Sequence, residues 1–274
     1  MMSTLRTYFL LFRPASVIAM NLFLFVPILF QSHNVLFSIM QTLPFVVMLS
    51  GEIAFNDCCD YEKDRINKPQ RPLVRGCVDI GHATIASAVM IALSVFLGIM
   101  VYHDSLLRMG CFLIVTVVLT LYNIKHPIMA MLKTAITAGM TVLTLSFVYT
   151  FSAFGRVQLF FLAAAFFFIL GREMLMDIRD YEGDKINGYI TIAVRFGVRY
   201  IAMLSCVSFL ISAVFVFLMA LSLSKVIVLL AMPILFFEFF CYYRCINAKS
   251  SKEQNKYILL LWVPIMFMLI IQLV

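Results

Sequence analysis

Nine apolar runs dominate the 274-residue chain, at 15–31, 36–55, 83–102, 106–123, 130–150, 158–176, 200–220, 223–243 and 256–273. One helix needs about 20 apolar residues to cross the hydrocarbon core of a bilayer. Lipid offers no hydrogen bonds, so a spanning segment must satisfy its own backbone, as a helix does. The two-residue alternation of a membrane β-barrel is absent. These runs predict an all-α polytopic membrane protein, with nine transmembrane helices in one bundle and residues 1–274 forming a single domain. Composition agrees. The chain is 63% hydrophobic and 13% charged, with a mean hydropathy of +1.01. A soluble domain carries about 45–50% apolar and about 25% charged residues, so an ordinary cytosolic enzyme and a disordered chain are both excluded.

The few charges are sorted by face. Of 21 Lys and Arg residues, all but Arg108, Arg156 and Lys225 precede the first run or surround the connections that follow even-numbered runs. Positive residues collect on the cytoplasmic side. This predicts a cytoplasmic N-terminus, a C-terminus on the opposite face, and residence in the inner or plasma membrane if the source is bacterial. Arg6 and Arg13 precede the first run as in a signal peptide, but no small-residue cleavage site follows, so an uncleaved first helix is expected. The seven cysteines show no zinc spacing and read as packing residues. Topology accounts for the net charge of +7, so no nucleic-acid partner is expected. Nothing in the sequence indicates an oligomeric state.

The acidic residues are concentrated further. Of 14, Glu52, Asp57, Asp60, Glu62, Asp64 and Asp79 surround the second connection, and Glu173, Asp177, Asp180, Glu182 and Asp184 the sixth. Residues 57–67 read DCCDYEKDRIN and residues 177–187 read DIRDYEGDKIN. The shared pattern, D-x-x-D-Y-E-x-D-[RK]-I-N, implies two related halves, each delivering one acidic segment to the same membrane face. If the transmembrane helix continues out of the bilayer, Asp57, Asp60 and Asp64 fall at i, i+3 and i+7 on one helix face, and Asn56 extends it. Asp177, Asp180 and Asp184 form the matching stripe. Carboxylates this close repel one another unless cations sit among them. Oxygen ligands without His or Cys favour Mg²⁺, which binds one or two carboxylates and fills its shell with water and substrate phosphate. Two such stripes with interleaved Arg and Lys make a diphosphate site. The alternative is a solvated charged loop that caps helix ends.

NDCCDYEKDRINKPQRP at 56–72 resembles the first signature of the UbiA superfamily of intramembrane prenyltransferases, N-D-x-x-D-x-x-x-D, and DIRDYEGD at 177–184 resembles the second. GREMLMD and TIAVRFG also look like that family. The D-[RK]-I-N-x-P-x-R-P continuation is similar to the branch holding archaeal digeranylgeranylglyceryl phosphate synthase and chlorophyll synthase. The resemblance implies Mg²⁺-dependent transfer of a prenyl group from a prenyl diphosphate to a lipophilic, aromatic acceptor. It implies that Asn56, Asp60 and Asp64 hold one Mg²⁺, with Asp57 beside them. It gives the second ion to Asp180 and Asp184, with Asp177 added. It makes Arg71, in the R-P element, and Tyr122 and Lys125, in a Tyr…Lys element, substrate-binding residues. Arg13 and Asn21 match a further family position. Cys58 and Cys59 stand where relatives often carry aromatic residues, and Lys133 where they often carry Asn.

With Arg71, Lys125 and Arg172 or Arg179 neutralising the diphosphate alongside the metal, C–O ionisation would leave an allylic carbocation at the membrane boundary. Phe and Met side chains would shelter it in a dry interior. A terpene cyclase would use the same site, and incubation without acceptor separates the two. A transporter for metal or phosphorylated solute would place its charges near the midplane, whereas here they lie at one boundary. Glu52 and Glu173, in the last turns of their runs, either tune the metal or, as is favoured, pair with basic neighbours such as Arg172. Glu238, inside the eighth run, either meets the acceptor or reaches toward Arg244.

Overall fold

The computed structural model of the chain describes residues 9–124, 127–151 and 154–271. Among these, nine helices are long and apolar enough to cross a membrane, as the sequence predicts. The helices in chain order are α1 (Pro14–Ser32), α2 (Val35–Cys59), α3 (Tyr61–Asn67), α4 (Ile80–Tyr102), α5 (Leu106–Asn123), α6 (Pro127–Ser146), α7 (Arg156–Arg179), α8 (Tyr181–Ile186), α9 (Ile192–Phe196), α10 (Val198–Leu223), α11 (Lys225–Ile246), α12 (Ser251–Leu260) and α13 (Trp262–Ile271). A short 3₁₀ turn, Phe147–Thr150, extends α6. The last apolar run is broken at Leu261, so α12 and α13 share one span. The side chains of Asn34, Asp79, Ser105, Ser224 and Ser250 cap their helices, each accepting a bond from a backbone N–H of the first turn.

The chain divides into two compact units, Met1–His126 with Leu143–Ser152 and Pro127–Val142 with Ala153–Val274. Each carries one copy of the acidic motif. In the first unit α2 packs along α4 and α1. Gly51 allows the close approach, because a Cβ there would lie 2.9 Å from Ile91 Cγ1 and 3.0 Å from the Ile91 backbone nitrogen. Away from the motif, Phe45, Tyr102, Phe112 and Phe147 are fully buried together. Their ring centroids lie between 5.0 Å (Phe45–Phe147) and 6.4 Å (Phe45–Tyr102) apart. The Tyr102 hydroxyl donates to the Gln41 carbonyl at 2.5 Å, so this large aromatic side chain buries no unsatisfied polar atom.

The second unit repeats this device. Gly171, 120 residues after Gly51, lets α7 lie against α10, where a Cβ would come within 3.2 Å of the Phe209 ring and the Ser205 carbonyl. Ser205 donates to Gly171 O at 2.9 Å, and Ser212 to Ala164 O at 3.0 Å. Small residues with short hydroxyls are the usual means of joining helices where lipid removes the hydrophobic drive.

Candidate active site

The first acidic segment begins on the last turn of α2. That helix ends at Cys59, and α3 begins at Tyr61. Between them Asp60 sits at φ −91°, ψ 12°. The second segment repeats the geometry, with α7 ending at Arg179, α8 starting at Tyr181, and Asp180 at φ −91°, ψ 3°. The continuous helix expected from the spacing is therefore broken at the middle aspartate of each copy. Asp favours such a position because its short side chain competes with helical backbone bonding. The stripe survives the break because backbone bonds bridge it. Asp60 N donates to Asn56 O at 2.9 Å and Asp64 N to Asp60 O at 2.8 Å. Asp180 N donates to Met176 O and Asp184 N to Asp180 O, both at 3.0 Å.

These carboxylates are buried. Asp57 is 2% exposed and Asp64 0%, while Asp177, Asp180 and Asp184 are 2%, 7% and 0%. Asp60 is half-buried. Taking such groups from water costs several kcal/mol each unless cations meet them, and in the first unit the cations come from separate segments. Arg13, 44 residues upstream, donates to both Asp57 oxygens at 2.6 and 2.5 Å. The buried Arg71 guanidinium lies 2.8 Å from Asp57 Oδ1 and also pairs with Asp64. Burial draws the Arg71 guanidinium down from its ordinary pKa, and the charge of Asp57 works against that shift. Lys68 Nζ lies 3.5 Å from Asp64. Arg13 reaches Asp57 from a left-handed backbone, φ 46°, just before Pro14 opens α1. That conformation is costly for any residue but glycine.

In the second unit one cation comes from the motif itself and another from α6. Arg179 grips Asp180 through two parallel bonds, Nε to Oδ1 at 2.8 Å and Nη2 to Oδ2 at 2.9 Å, and its Nη1 donates to Asn255 at 2.8 Å. This fork geometry is the strong form of an Arg–carboxylate pair. Asp177 accepts from the Thr134 hydroxyl at 3.2 Å, and Lys133 Nζ lies 3.9 Å away.

Other expected residues lie elsewhere. Arg172 does not reach an aspartate of the motif among the contacts described. It donates to Glu173 at 3.0 Å and stacks over the Trp262 ring at 4.5 Å. That satisfies the pairing expected for Glu173. Among the described residues Glu52 takes no basic partner. It is bonded by the Thr120 hydroxyl and accepts from Asn123 Nδ2 at 2.8 Å. Arg244 pairs with Tyr257 and Glu253 rather than with Glu238. The Glu238 carboxylate is fully buried, and among the described residues its oxygens have no hydrogen-bond partner. Asn21 lines a cavity of about 200 Å³ with Ile18, Leu22 and Phe25 of α1 and Ile39, Thr42, Leu43 and Val46 of α2. Tyr122 is half-buried on the last turn of α5. Lys125 lies outside the described residues.

Sequence reasoning missed Asn123 and Thr120, whose only signal was an amide and a hydroxyl in the last turn of an apolar helix. It also gave Arg13 no acidic partner, since the two are 44 residues apart.

The residues present fit a magnesium ion. Every candidate donor is a carboxylate or amide oxygen, the set that suits a hard cation. Among the described residues no three His, Cys, Asp or Glu side chains converge on one point. Mg²⁺ does not need such a cage, since it binds through one or two carboxylates together with water and substrate phosphate.

Among the described residues, nine apolar helices and a duplicated acidic segment at their ends define a helical integral membrane protein. The chain belongs to the UbiA prenyltransferase family, whose model matches residues 14–271. Curated relatives are named digeranylgeranylglyceryl phosphate synthase. That of Methanoregula boonei is 29% identical over 76% of this chain and 75% of its own length. That of Methanosphaera stadtmanae is 30% identical over 62% of this chain, which spans 61% of that relative's length. Among solved structures, a UbiA homolog from Archaeoglobus fulgidus bound to GPP and Mg²⁺ matches with a TM-score of 0.74 at 17% identity, over 97% of this chain and 98% of that one. The same homolog bound to DMAPP and Mg²⁺ also matches with a TM-score of 0.74, at 16% identity over 97% of each chain. At these identities the likeness establishes the fold.

Proposed function

We propose that this protein transfers a prenyl group from a prenyl diphosphate to a lipophilic acceptor, with Mg²⁺ as its cofactor and its acidic motifs on the cytoplasmic face. The observation that carries this reading is the duplicated stripe of aspartates, of which Asp57, Asp64, Asp177 and Asp180 are buried and lie against arginine or lysine. Asn56, Asp60 and Asp64, with Asp57 beside them, are assigned to one Mg²⁺, and Asp180 and Asp184, with Asp177, to a second. When bound, Mg²⁺ neutralises diphosphate charge and makes it a better leaving group. The relatives in complex with Mg²⁺ and prenyl diphosphates support the cofactor and the donor class.

The chain's own residues supply the remaining functions. Arg71, already shared between two carboxylates, provides a buried positive charge for diphosphate oxygens, and Arg179, Arg13 and Lys125 add to it. Tyr122 and Asn21 belong to the same substrate-binding set. The apolar helices exclude water from the carbocation left after ionisation. The Lys and Arg residues, all but three of the 21 sorted to one side, support a cytoplasmic N-terminus and a C-terminus on the opposite face.

The aromatic acceptor implied by the motif resemblance has no echo in the relatives' names, which contain a prenylated glyceryl phosphate. Purified protein is therefore assayed with C10 to C20 prenyl diphosphates against a glyceryl phosphate ether and an aromatic acid. Mg²⁺-dependent release of diphosphate with a prenylated acceptor is expected, and the productive acceptor identifies the class. Cyclic hydrocarbon formed without acceptor would replace this reading with a terpene cyclase.

A further inference from the structure

A chain of four polar side chains runs from α5 to the first acidic motif. The Thr120 hydroxyl is bonded to Glu52 Oε1. Both amide hydrogens of Asn123 are used on Glu52, one on its side-chain Oε2 at 2.8 Å and one on its main-chain carbonyl at 3.3 Å. Asn123 Oδ1 in turn accepts from Asn56 Nδ2 at 2.9 Å. Glu52 and Asn123 are 4% and 7% exposed, so water does not compete freely for these bonds.

The polarity of this chain is forced. A main-chain carbonyl can only accept, so the NH₂ group of Asn123 must face Glu52. The Asn123 oxygen must then face Asn56, which meets it with its own NH₂ group. The one atom of the Asn56 amide able to bind a cation, its oxygen, is thereby turned away from α5. We infer that Asn123, held by Glu52, is a positioning residue that presents the Asn56 oxygen to a divalent cation. The inference rests on the proposed role of Asn56 as a Mg²⁺ ligand. Groups that orient a metal ligand contribute about 10–100-fold to metal affinity or activity.

Two double variants isolate the oxygen at position 123. In Glu52→Gln with Asn123→Asp, the new amide at position 52 donates to one oxygen of the new carboxylate. The other oxygen still accepts from Asn56, so the polarity toward Asn56 is kept although the bond to the main-chain carbonyl of residue 52 is lost. In Glu52→Gln with Asn123→Leu, the volume is filled but nothing accepts from Asn56, and its amide is free to turn. Two readouts are taken. One is binding of Mn²⁺, as a paramagnetic stand-in, in the presence of an unreactive prenyl thiolodiphosphate and followed by EPR. The other is the Mg²⁺ concentration for half-maximal diphosphate release. The double variant with Asn123→Asp should stay within about twofold of the parent, and the one with Asn123→Leu should need about tenfold more metal in both readouts. Asn56→Ala should match or exceed the effect of the Asn123→Leu double variant.

Equal metal dependence in the two double variants overturns the inference, as does an Asn56→Ala protein that binds metal like the parent. If the double variant with Asn123→Asp does not fold, the one with Asn123→Leu is compared with Glu52→Gln alone, and equal metal dependence there overturns the inference in the same way. The broader functional reading fails separately, if Asp64→Asn retains full turnover.

Discussion

The two acidic segments share a sequence pattern, a backbone break and a depth of burial, yet they neutralise their charge by different means. In the copy at 57–67 the cations arrive from elsewhere: Arg13 from the start of α1, and Lys68 and Arg71 from the residues after α3. In the copy at 177–187 Lys133 of α6 lies near Asp177, but the arginine that holds Asp180 is built into the motif, at the position that Cys59 holds in the first copy. A self-contained pair holds one carboxylate in a fixed fork. A cation shared between two carboxylates, as Arg71 is, ties α2 to α3 within its own copy and leaves the charge balance there dependent on residues that the motif does not contain. Duplication preserved the acids, which need identical spacing to line one helix face, and left the counter-charges to diverge.

The largest expected effect tests whether the copies share one task. Asp64→Asn and Asp184→Asn, the matching fully buried positions, should each lower Mg²⁺-dependent diphosphate release at least about 100-fold. Loss in only one of them would mean that a single copy performs the chemistry. Next come the counter-charges. Arg71→Ala leaves two buried carboxylates short of a cation, and Arg179→Ala leaves one. Breaking a buried pair costs about 3–5 kcal/mol, so Arg71→Ala should fall near the upper end and Arg179→Ala near the lower. Denaturation of the metal-free protein in detergent measures both, and equal losses would erase the distinction between shared and self-contained neutralisation. The smallest effect concerns the helix crossings behind each motif. At Gly51 the added methyl meets backbone at 3.0 Å, and at Gly171 the nearest contacts are at 3.2 Å. Gly51→Ala should cost about 1–3 kcal/mol and Gly171→Ala less, read as a difference in unfolding midpoint.

Much of the fold was legible because lipid leaves few choices. A run of about 20 apolar residues must be a helix when nothing outside it can satisfy its backbone, and every expected span has its helix. The acid stripes were legible for a related reason, since residues at i, i+3 and i+7 share a helix face whatever else the chain does. The break at Asp60 and Asp180 was not visible, because a one-residue change of ψ leaves the spacing intact. Nor were the partners of Glu52 and Glu238. Charge complementarity pointed Glu52 to a basic residue and offered Arg244 to Glu238 as one of two readings, but Glu52 found an amide and a hydroxyl from α5, and Arg244 was taken by Tyr257 and Glu253.

The sequence alone thus determined the solvent, the helices, the family and the acids, because each is a property of composition or of spacing along one helix. Tertiary structure decided which cation meets which carboxylate and which way the Asn56 amide points. Those depend on contacts between segments tens of residues apart, such as Arg13 with Asp57 and Asn56 with Asn123. A periodic pattern records only which face of a helix is shared. The partner that meets that face is set by how helices from distant parts of the chain pack.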